Sequence, residues 1–373
     1  MLRTVSQERG EEQRGGFRVL HVLPMDLARG SQIHARALKD ALDRPERRHL
    51  LLTLFEAPDR GLDPDISLGV HAGRLRRWGF DPRAALRLRR CARQLRPAVM
   101  VAHGSEALKY SIAARLRDCR LVYYAIGVAT PAVHDQPTRA LYRWLYHRAD
   151  LIAGVSAEVV DECNQLMAVP RERLLLAPNG RDPGIYQPHV GRGSGDLPTL
   201  AYIGHLTPEK RPEAMLEVTA RLRARGRDLR AVMVGDGPLG TELRHRARQV
   251  GVEMLGVSND IAAVMRECDV LLFPSGYHGE GMPGVLIEAG LAGLPVVATD
   301  VPGVSTIVES GRTGCIVPVG DVAAMVDAVD GLLSDPDRRT QMGRAARRRC
   351  ESQFSLAASA AVWGQAIERL LAG

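Results

Sequence analysis

Two glutamates, Glu280 and Glu288, are separated by seven residues that begin with 281–285, Gly-Met-Pro-Gly-Val. Upstream, residues 269–274 predict a buried strand that runs into a turn, and downstream residues 296–299 predict a second strand. The pattern is therefore strand, glycine-rich loop, helix, strand. It puts one carboxylate at the mouth of the loop and the other about a turn and a half into the helix.

The loop between these glutamates has the chemistry of a phosphate site. Pro283 suits the first helical position, where its missing N–H is harmless. The preceding loop then presents free backbone N–H groups, and the helix dipole adds positive potential. Glu280 can face a group attached to the phosphate, and Glu288 can accept hydrogen bonds from hydroxyl groups on the opposite side. The alternative is that both are ordinary glutamates of an α/β crossover.

Composition bounds the class of protein. The 373 residues are enough for two domains with substantial cores. The net charge is +7, and the positive excess lies in the first half of the chain. Basic residues are almost all Arg, the exceptions being Lys39, Lys109 and Lys210. Nucleic acid is not expected as a partner, because no binding motif or interleaved aromatics accompany the charge. A solvated arginine-rich face is the alternative to a binding surface.

Cysteine usage and hydropathy indicate the cellular compartment in which the protein is expected. The six cysteines are scattered, without a Cys-x-x-Cys pair, so they predict neither a zinc site nor a disulfide framework. Residues 1–16 are polar and lack the apolar stretch of a signal peptide, and no apolar run could span a bilayer. We therefore expect a cytoplasmic protein.

The chain alternates between short apolar strands and amphipathic helices. Strands are predicted at 17–24, 50–54, 99–102, 121–124 and 151–155, with helices ending near Leu42 and at 82–96, 105–117, 137–148 and 156–167. Residues 184–198 are rich in turn formers and predict a linker. Further strands are predicted at 200–203, 231–234, 270–273 and 296–298. The alternation predicts an α/β protein with two Rossmann-like, doubly wound parallel sheets and ligand at the carboxyl ends of the strands.

The Glu-x7-Glu pair, followed by Gly-Leu-Pro-Val-Val at 293–297, resembles the retaining glycosyltransferases of group 1, glycosyltransferase family 4. The resemblance spans roughly residues 17–370. It implies the GT-B fold, two Rossmann-like domains with a central cleft. The domains would be a polar tail (1–16), an acceptor-side domain (17–183), the linker (184–198), a nucleotide-sugar domain (199–350) and a helix that returns to the first domain (351–373).

The segment 204–210, Gly-His-Leu-Thr-Pro-Glu-Lys, is similar to the family's Gly-Arg-Leu-x-x-x-Lys segment, whose Arg and Lys clamp the donor diphosphate. Lys210 matches the family Lys. His205 stands in place of Arg, and a neutral imidazole supplies no charge. Arg211 takes a position often held by Gly and could restore the charge. A solvated lysine is the alternative for Lys210.

Other family positions match only in part. Val257 falls in the loop 255–260, which follows another short predicted strand and would present backbone to the nucleotide base; a plain turn is the alternative. Gly30 matches one glycine of the family's Gly-Gly loop, with Ser31 replacing the second. Residues 178–182, Pro-Asn-Gly-Arg-Asp, are similar to a Pro-Asn-Gly-Val-Asp marker of the domain junction, with an architectural role. The family histidine that meets the donor sugar has no counterpart near 123–127.

The resemblance implies a retaining glycosyltransferase of hexosyl or N-acetylhexosaminyl type, with a nucleotide diphosphate sugar as co-substrate. Glu280 would orient the sugar and Lys210 would stabilise the leaving diphosphate, without a metal or a resident cofactor. The predicted donor-binding residues are Gly30, His205, Lys210, Val257, Gly281, Met282, Pro283, Gly284, Val285 and Glu288. The acceptor (a lipid, a glycan or a small natural product) is not identified. His103 and His134 are candidates for the missing family histidine, and an ordinary loop histidine is the alternative for each.

Two other functions stay open at this point. A nucleotide-sugar-binding protein with weak or no turnover would explain His205 and the missing histidine. A nucleotide-sugar 2-epimerase shares the two-domain form but should lack the Glu-x7-Glu loop with its upstream Lys. An NAD-linked oxidoreductase is excluded, because residues 24–32 lack Gly-x-Gly-x-x-Gly.

The basic first half suggests one more partner. Arg74, Arg76 and Arg77 adjoin Trp78, and the helix 82–96 is rich in arginine. Such a surface could contact an anionic membrane leaflet or an anionic soluble acceptor. The expected location is therefore cytoplasmic, with possible peripheral contact at the inner membrane face.

Overall fold

The structure is a computed structural model that describes residues 17–27, 30–57, 61–127, 136–188, 197–277 and 281–372. The chain forms two compact units. One contains the residues up to Gly180 together with those from Leu356 onward, and the other contains Arg181–Ser355.

The first unit is a parallel sheet with helices between its strands. Its elements are β1 (Phe17–Met25), α1 (Gly30–Leu42), β2 (Arg47–Glu56), β3 (Ile66–His71), α2 (Arg74–Arg77), α3 (Pro82–Leu95), β4 (Val99–His103), α4 (Gly104–Ala114), β5 (Arg120–Ala125), α5 (Gln136–Tyr146), β6 (Leu151–Gly154), α6 (Ala157–Gln165), β7 (Leu174–Leu176) and α14 (Leu356–Ala372). The described strands are ordered β3-β2-β1-β4-β5-β6-β7, and every pairing is parallel.

The central strands of this sheet are buried on both faces, which parallel sheets covered by helices require. All five residues of β4 are buried. The last helix, α14, buries Trp363 completely, with its ring edge-on to Tyr124 at 4.9 Å between centroids. Ser359 donates a hydrogen bond to the carbonyl of Pro178 at 2.9 Å. The C-terminal segment is therefore part of the core of the first unit.

The second unit repeats the architecture. It contains β8 (Thr199–Ile203), α7 (Glu213–Ala224), β9 (Arg230–Val234), α8 (Gly240–Val250), β10 (Val252–Gly256), α9 (Ile261–Arg266), β11 (Val270–Phe273), α10 (Gly284–Leu291), β12 (Val296–Thr299), α11 (Val304–Ile307), β13 (Gly314–Val317), α12 (Val322–Ser334) and α13 (Pro336–Gln353). The described strands are ordered β10-β9-β8-β11-β12-β13, all parallel. This is the doubly wound order, which reverses direction between β8 and β11.

The predicted fold class is confirmed: both units are Rossmann-like α/β structures. Sequence analysis missed β3, β7 and β13, which lie at sheet edges and carry weak patterns. β3 contains Gly69 at a positive φ of 59°, and β7 has only three residues. The helix after the glycine-rich loop begins at Gly284, one residue later than predicted, and Pro283 is its N-cap.

Among the described helices, none combines the length and apolar composition that crossing a membrane requires.

Candidate functional site

A cavity of about 220 Å³ lies in the second unit at the carboxyl ends of β8 and β11. Three segments meet there: the loop after β8, the loop after β11 and the start of α10. They bring together five of the predicted donor-binding residues, namely His205, Lys210, Pro283, Gly284 and Val285. The cavity is at the point where the strand order reverses, the usual ligand position in a doubly wound sheet.

The start of α10 lines this cavity, and a helix N-terminus favours an anion. Pro283 is an extended N-cap with φ −68° and ψ 107°, and it provides no side-chain hydrogen bond to the first turn. The first backbone N–H groups of the helix therefore have no capping side chain, so they and the helix dipole attract an anion at Gly284 and Val285.

Lys210 supplies a cation on the facing side of the cavity. It ends a short 3₁₀ helix, Pro208–Lys210, and its Nζ lies 5.9 Å from the centroid of the Phe273 ring. Gly276 donates its backbone N–H to the carbonyl of Glu209 at 2.7 Å, which ties the loop after β11 to this turn. The ring and the turn hold the lysine in the cavity that the helix terminus also lines.

The backbone conformation at Arg211 shows why the family often has glycine at this position. Arg211 has φ 48° and ψ 49°, the left-handed region that glycine adopts most easily. An arginine there costs about 1 kcal/mol or more of backbone strain. Its guanidinium forms a long ion pair with Glu213 at 3.8 Å. The same turn carries Lys210, which lines the cavity.

His205 is exposed at the cavity, and its carbonyl accepts a hydrogen bond from the Tyr202 hydroxyl at 3.0 Å. This bond fixes the backbone of the turn, while the imidazole itself lines the cavity. The side chain is therefore placed to meet a ligand, without the permanent charge of an arginine.

Glu288 lies further along α10 and is ion-paired. Arg181 donates from Nε to Oε1 of Glu288 at 2.7 Å, and both side chains are mostly buried, at 12% and 17% exposure. The Arg181 guanidinium also lies against Gly284, where a Cβ would overlap it. Tyr186 is beside the pair: burial first, and then the Glu288 charge, raise the pKa of its phenol.

Arg181 and Tyr186, which contact Glu288, are not among the residues predicted from the sequence. The available signal was Arg181 itself, which replaces the family Val in a motif interpreted as architectural. A guanidinium in place of Val brings a charge next to the first residue of α10. Only the folded chain reveals this, because Arg181 and Glu288 are 107 positions apart.

The other predicted residues have varied locations. Gly281 and Met282 are buried, and the carbonyl of Gly281 packs so closely on Gly303 that a Cβ at 303 would overlap it. Val257 follows β10, is 73% exposed and does not line the cavity. Gly30, in the first unit, is the first residue of α1. Glu280 and His134 lie outside the described residues.

His103 ends β4 and belongs to a buried chain of three imidazoles in the first unit. His21 Nδ1 lies 3.0 Å from His103 Nε2, and His21 Nε2 lies 2.9 Å from His49 Nδ1. Burial lowers the pKa of all three rings, assisted by neighbouring positive or imidazole charge, and lowers that of His49 to about 3. All three are therefore neutral at physiological pH.

Neither unit offers a clustered metal site in its described part: no three His, Cys, Asp or Glu side chains are grouped to hold an ion. The chain has two Asp-x-Asp sequences, 63–65 and 335–337. Asp65 pairs with Lys39 at 3.2 Å, and Asp335 accepts a hydrogen bond from the N–H of Arg338 at the start of α13. These two aspartates have structural partners.

Two family models match the chain. "Glycosyltransferase Family 4" matches residues 28–184, and "Glycosyl transferases group 1" matches residues 190–349. Together they cover most of the chain, one in each unit.

Among known relatives, the D-inositol 3-phosphate glycosyltransferase of Nocardia farcinica is 32% identical over 52% of this chain and 47% of its own length. The α-D-kanosaminyltransferase of Streptomyces kanamyceticus is 34% identical over 45% of this chain and 44% of its own length. The chain thus spans about half the length of these two relatives.

A solved structure shares the fold over nearly the whole chain. Anabaena HepE in complex with UDP-glucose superimposes with a TM-score of 0.76 and 19% identity, covering 95% of this chain and 99% of that one. The likeness shows the GT-B fold.

The buried imidazoles predict acid sensitivity. Below pH ~6.5 histidines of the unfolded chain bind protons, whereas the folded rings, with their lowered pKa values, do not. The unfolded state then binds more protons, so the free energy of unfolding should fall as the pH drops from about 7 to about 4, by up to ~1.4 kcal/mol per pH unit for each ring. Urea unfolding at several pH values measures this slope.

His49→Gln should show a shallower decline than wild type. The matched control is His245→Gln, which replaces an exposed histidine of α8 and should keep the wild-type slope. Parallel declines for wild type and His49→Gln would contradict the assignment of acid sensitivity to this chain of rings.

Proposed function

Because this chain belongs to the group 1 glycosyltransferases, family 4, we propose that it transfers a sugar from a nucleotide diphosphate sugar to an acceptor hydroxyl with retention of configuration. The observation that carries the proposal is the cavity in which Lys210 shares the lining with the uncapped start of α10. A cation and a row of backbone N–H groups form a site for a diphosphate.

The chemistry follows from the charge of the leaving group. The bond from the anomeric carbon to the diphosphate oxygen breaks, the bond to the acceptor oxygen forms on the same face, and the acceptor proton passes to the departing phosphate. Negative charge grows on the diphosphate in the transition state. Lys210 and the N–H groups of Gly284 and Val285 would stabilise that charge without rearranging. No protein nucleophile is needed on this route.

Glu288 would accept hydrogen bonds from the ribose hydroxyls of the nucleotide. Its Oε1 is bound by Arg181, and the ion pair holds the carboxylate in one orientation. The guanidinium at Gly284 also adds positive charge next to the helix start, in a site where His205 replaces the family arginine. HepE was solved with UDP-glucose, so UDP is the first nucleotide to test.

Glu280 would orient the donor sugar. This role is inferred from the Glu-x7-Glu spacing alone. Val257 would contribute backbone to the base.

A second candidate is a nucleotide-sugar-binding protein with little turnover, favoured by His205 in place of arginine. Donor hydrolysis without an acceptor separates the two. Release of nucleoside diphosphate from UDP-glucose, GDP-mannose or ADP-glucose supports the transferase, and tight binding without release supports the binding protein.

Lys210→Ala should lower kcat/KM for the donor by roughly 10²-fold, the cost of one transition-state donor. The control is Arg244→Ala, which removes an exposed cation of α8 and should leave kcat/KM unchanged. Thermal unfolding confirms that both variants are folded. A folded Lys210→Ala with wild-type kinetics would remove Lys210 from the diphosphate site.

Glu288→Gln should weaken binding of the nucleoside diphosphate by about tenfold, since a charge-assisted hydrogen bond is worth about 1.5–3 kcal/mol. Arg181→Val, which restores the family residue, should weaken it as well. The double variant should lose less than the sum of the two, because Arg181 acts partly through Glu288. Titration calorimetry with UDP measures all four proteins, and additive losses would show that the two side chains act independently.

We also propose that the first unit contacts an anionic membrane through residues 74–87. Within this segment Leu75, Trp78, Phe80 and Leu86 are exposed, Trp78 at 82%. Arg74, Arg77, Arg83 and Arg87 in the same segment are exposed as well. Phe80 stacks on Tyr110 at 4.9 Å, and Lys109 donates to the carbonyl of Gly79, so the projecting loop is anchored. A segment that exposes both apolar side chains and arginines suits an anionic lipid interface.

Co-sedimentation tests this contact with phosphatidylglycerol-containing and pure phosphatidylcholine vesicles. Binding should favour the anionic vesicles, fall with salt and drop severalfold in Trp78→Ala, since one interfacial aromatic and each basic residue contribute on the order of 1 kcal/mol. Trp144→Ala is the control, because Trp144 is half-exposed on α5, outside the segment. Equal, negligible binding to both vesicles at low salt would exclude the membrane.

A further inference from the structure

A cavity of about 550 Å³ lies in the first unit at the amino ends of β5, β6 and β7. Because these strands are parallel, their amino ends share one edge of the sheet, opposite to the carboxyl ends at which doubly wound sheets usually bind ligands. Five arginines from five separate segments of the chain line it, namely Arg115, Arg120, Arg148, Arg173 and Arg369. The tertiary structure therefore gathers positive charge that no single helix face carries.

Two of these arginines hold the turn before β6 in place. Arg115 donates to the carbonyl of Arg148 at 3.0 Å and to Oδ2 of Asp150 at 2.6 Å. Arg173, which precedes β7, donates to the carbonyl of His147 at 3.2 Å. These hydrogen bonds fix the backbone that presents Arg148 to the cavity.

The carboxylate of the cavity is already bound. Among the described lining residues the acidic one is Asp150, and its Oδ2 accepts hydrogen bonds from Arg115 and from the backbone N–H of Leu121, both at 2.6 Å. Asp118 and Glu172 are exposed neighbours of the cluster in sequence, and they do not line the cavity. The other guanidinium groups thus lack a counter-ion within the described lining.

The guanidinium groups of Arg120, Arg148 and Arg369 form no ion pair or hydrogen bond within the described part of the chain. Arg148 is positioned by a ring instead, because its guanidinium carbon lies 4.7 Å from the centroid of Trp144. A guanidinium that rests on an aromatic ring keeps its N–H groups for other partners. Three sets of N–H donors are therefore available at this edge of the sheet.

The surplus of positive charge indicates the class of ligand. Like charges gathered without counter-ions oppose the compact state, and an anion among them removes that repulsion. The planar fork of a guanidinium matches two oxygens of a phosphate group, so three forks suit a group with several such oxygens. A volume of about 550 Å³ also leaves room for the molecule that carries the phosphate.

We propose that this cavity binds the phosphate group of an anionic ligand, a phosphomonoester or a diphosphate, through Arg120, Arg148 and Arg369. The site is separate from the diphosphate site of the second unit and does not depend on sugar transfer. Arg369 belongs to α14 and Arg120 to β5, so a bound phosphate would join the last helix to the sheet and stabilise the folded first unit.

Titration calorimetry with pyrophosphate tests the site in Lys210→Ala, a background that removes the cation from the second unit's cavity. Pyrophosphate should still bind. Arg148→Ala or Arg369→Ala, added to that background, should weaken binding about tenfold, the contribution of one charge-assisted hydrogen bond. The control, Arg244→Ala, removes the same charge from exposed α8 and should leave the affinity unchanged. Thermal unfolding without ligand checks that each variant is folded.

NMR and vesicle binding locate the site and identify the source of the phosphate. Pyrophosphate should shift the Nε–H resonances of Arg120, Arg148 and Arg369 in ¹H–¹⁵N spectra. Co-sedimentation with phosphatidic acid vesicles, against phosphatidylglycerol vesicles of equal charge, asks whether a lipid headgroup can supply the phosphate. Binding of pyrophosphate alone identifies a soluble ligand, and an Arg369-dependent preference for phosphatidic acid identifies a lipid.

Two results would overturn the proposal. One is the absence of Arg369-dependent binding to both pyrophosphate and phosphatidic acid. The other is an equal loss of affinity in Arg369→Ala and Arg244→Ala, which would show that pyrophosphate responds only to the net charge of the protein.

Discussion

Backbone packed against backbone, without intervening side chains, is the constraint on which the site of the second unit depends. Gly235, at φ 134°, lies against the carbonyl of Gly204, so that a Cβ there would overlap it. Gly303, at φ 83°, approaches Gly281 in the same way. Any side chain at these positions would push apart the loops after β8, β9, β11 and β12. Their close approach puts Lys210 and the start of α10 on one cavity of about 220 Å³.

The charged groups of the second unit's site lie close to these packed loops. The first turn of α10 has no capping side chain, Lys210 faces the same cavity, and Arg181 lies on Gly284 while bound to Glu288. Removing either partner of this mostly buried pair would leave a charge without its counterpart, which costs more than the pair itself contributes. Arg181 therefore contributes both to the stability of the second unit and to the proposed nucleotide contact.

The first unit buries polar groups that are uncharged. His103 is neutral, and the two rings joined to it are neutral and buried as well. A hydrogen-bonded row of neutral rings keeps polar groups inside the core without the desolvation cost of a charge. The polar groups at the second unit's cavity thus include a charged lysine, whereas this buried row in the first unit is neutral.

The sequence alone was enough to predict the two doubly wound sheets, because strands buried on both faces leave continuous apolar runs and helices leave a 3.6-residue period. It also indicated the glycine-rich loop and the helix that follows it, since the Gly and Pro residues at 281–284 carry their conformational meaning locally. Edge strands such as β7 were not predicted, because a strand of three residues is too short to show a periodic hydrophobic pattern. Only the tertiary structure joined Arg181 to Glu288, and His49 through His21 to His103. Those contacts depend on which strands and helices become neighbours, and the spacing of residues in the sequence does not specify those neighbours.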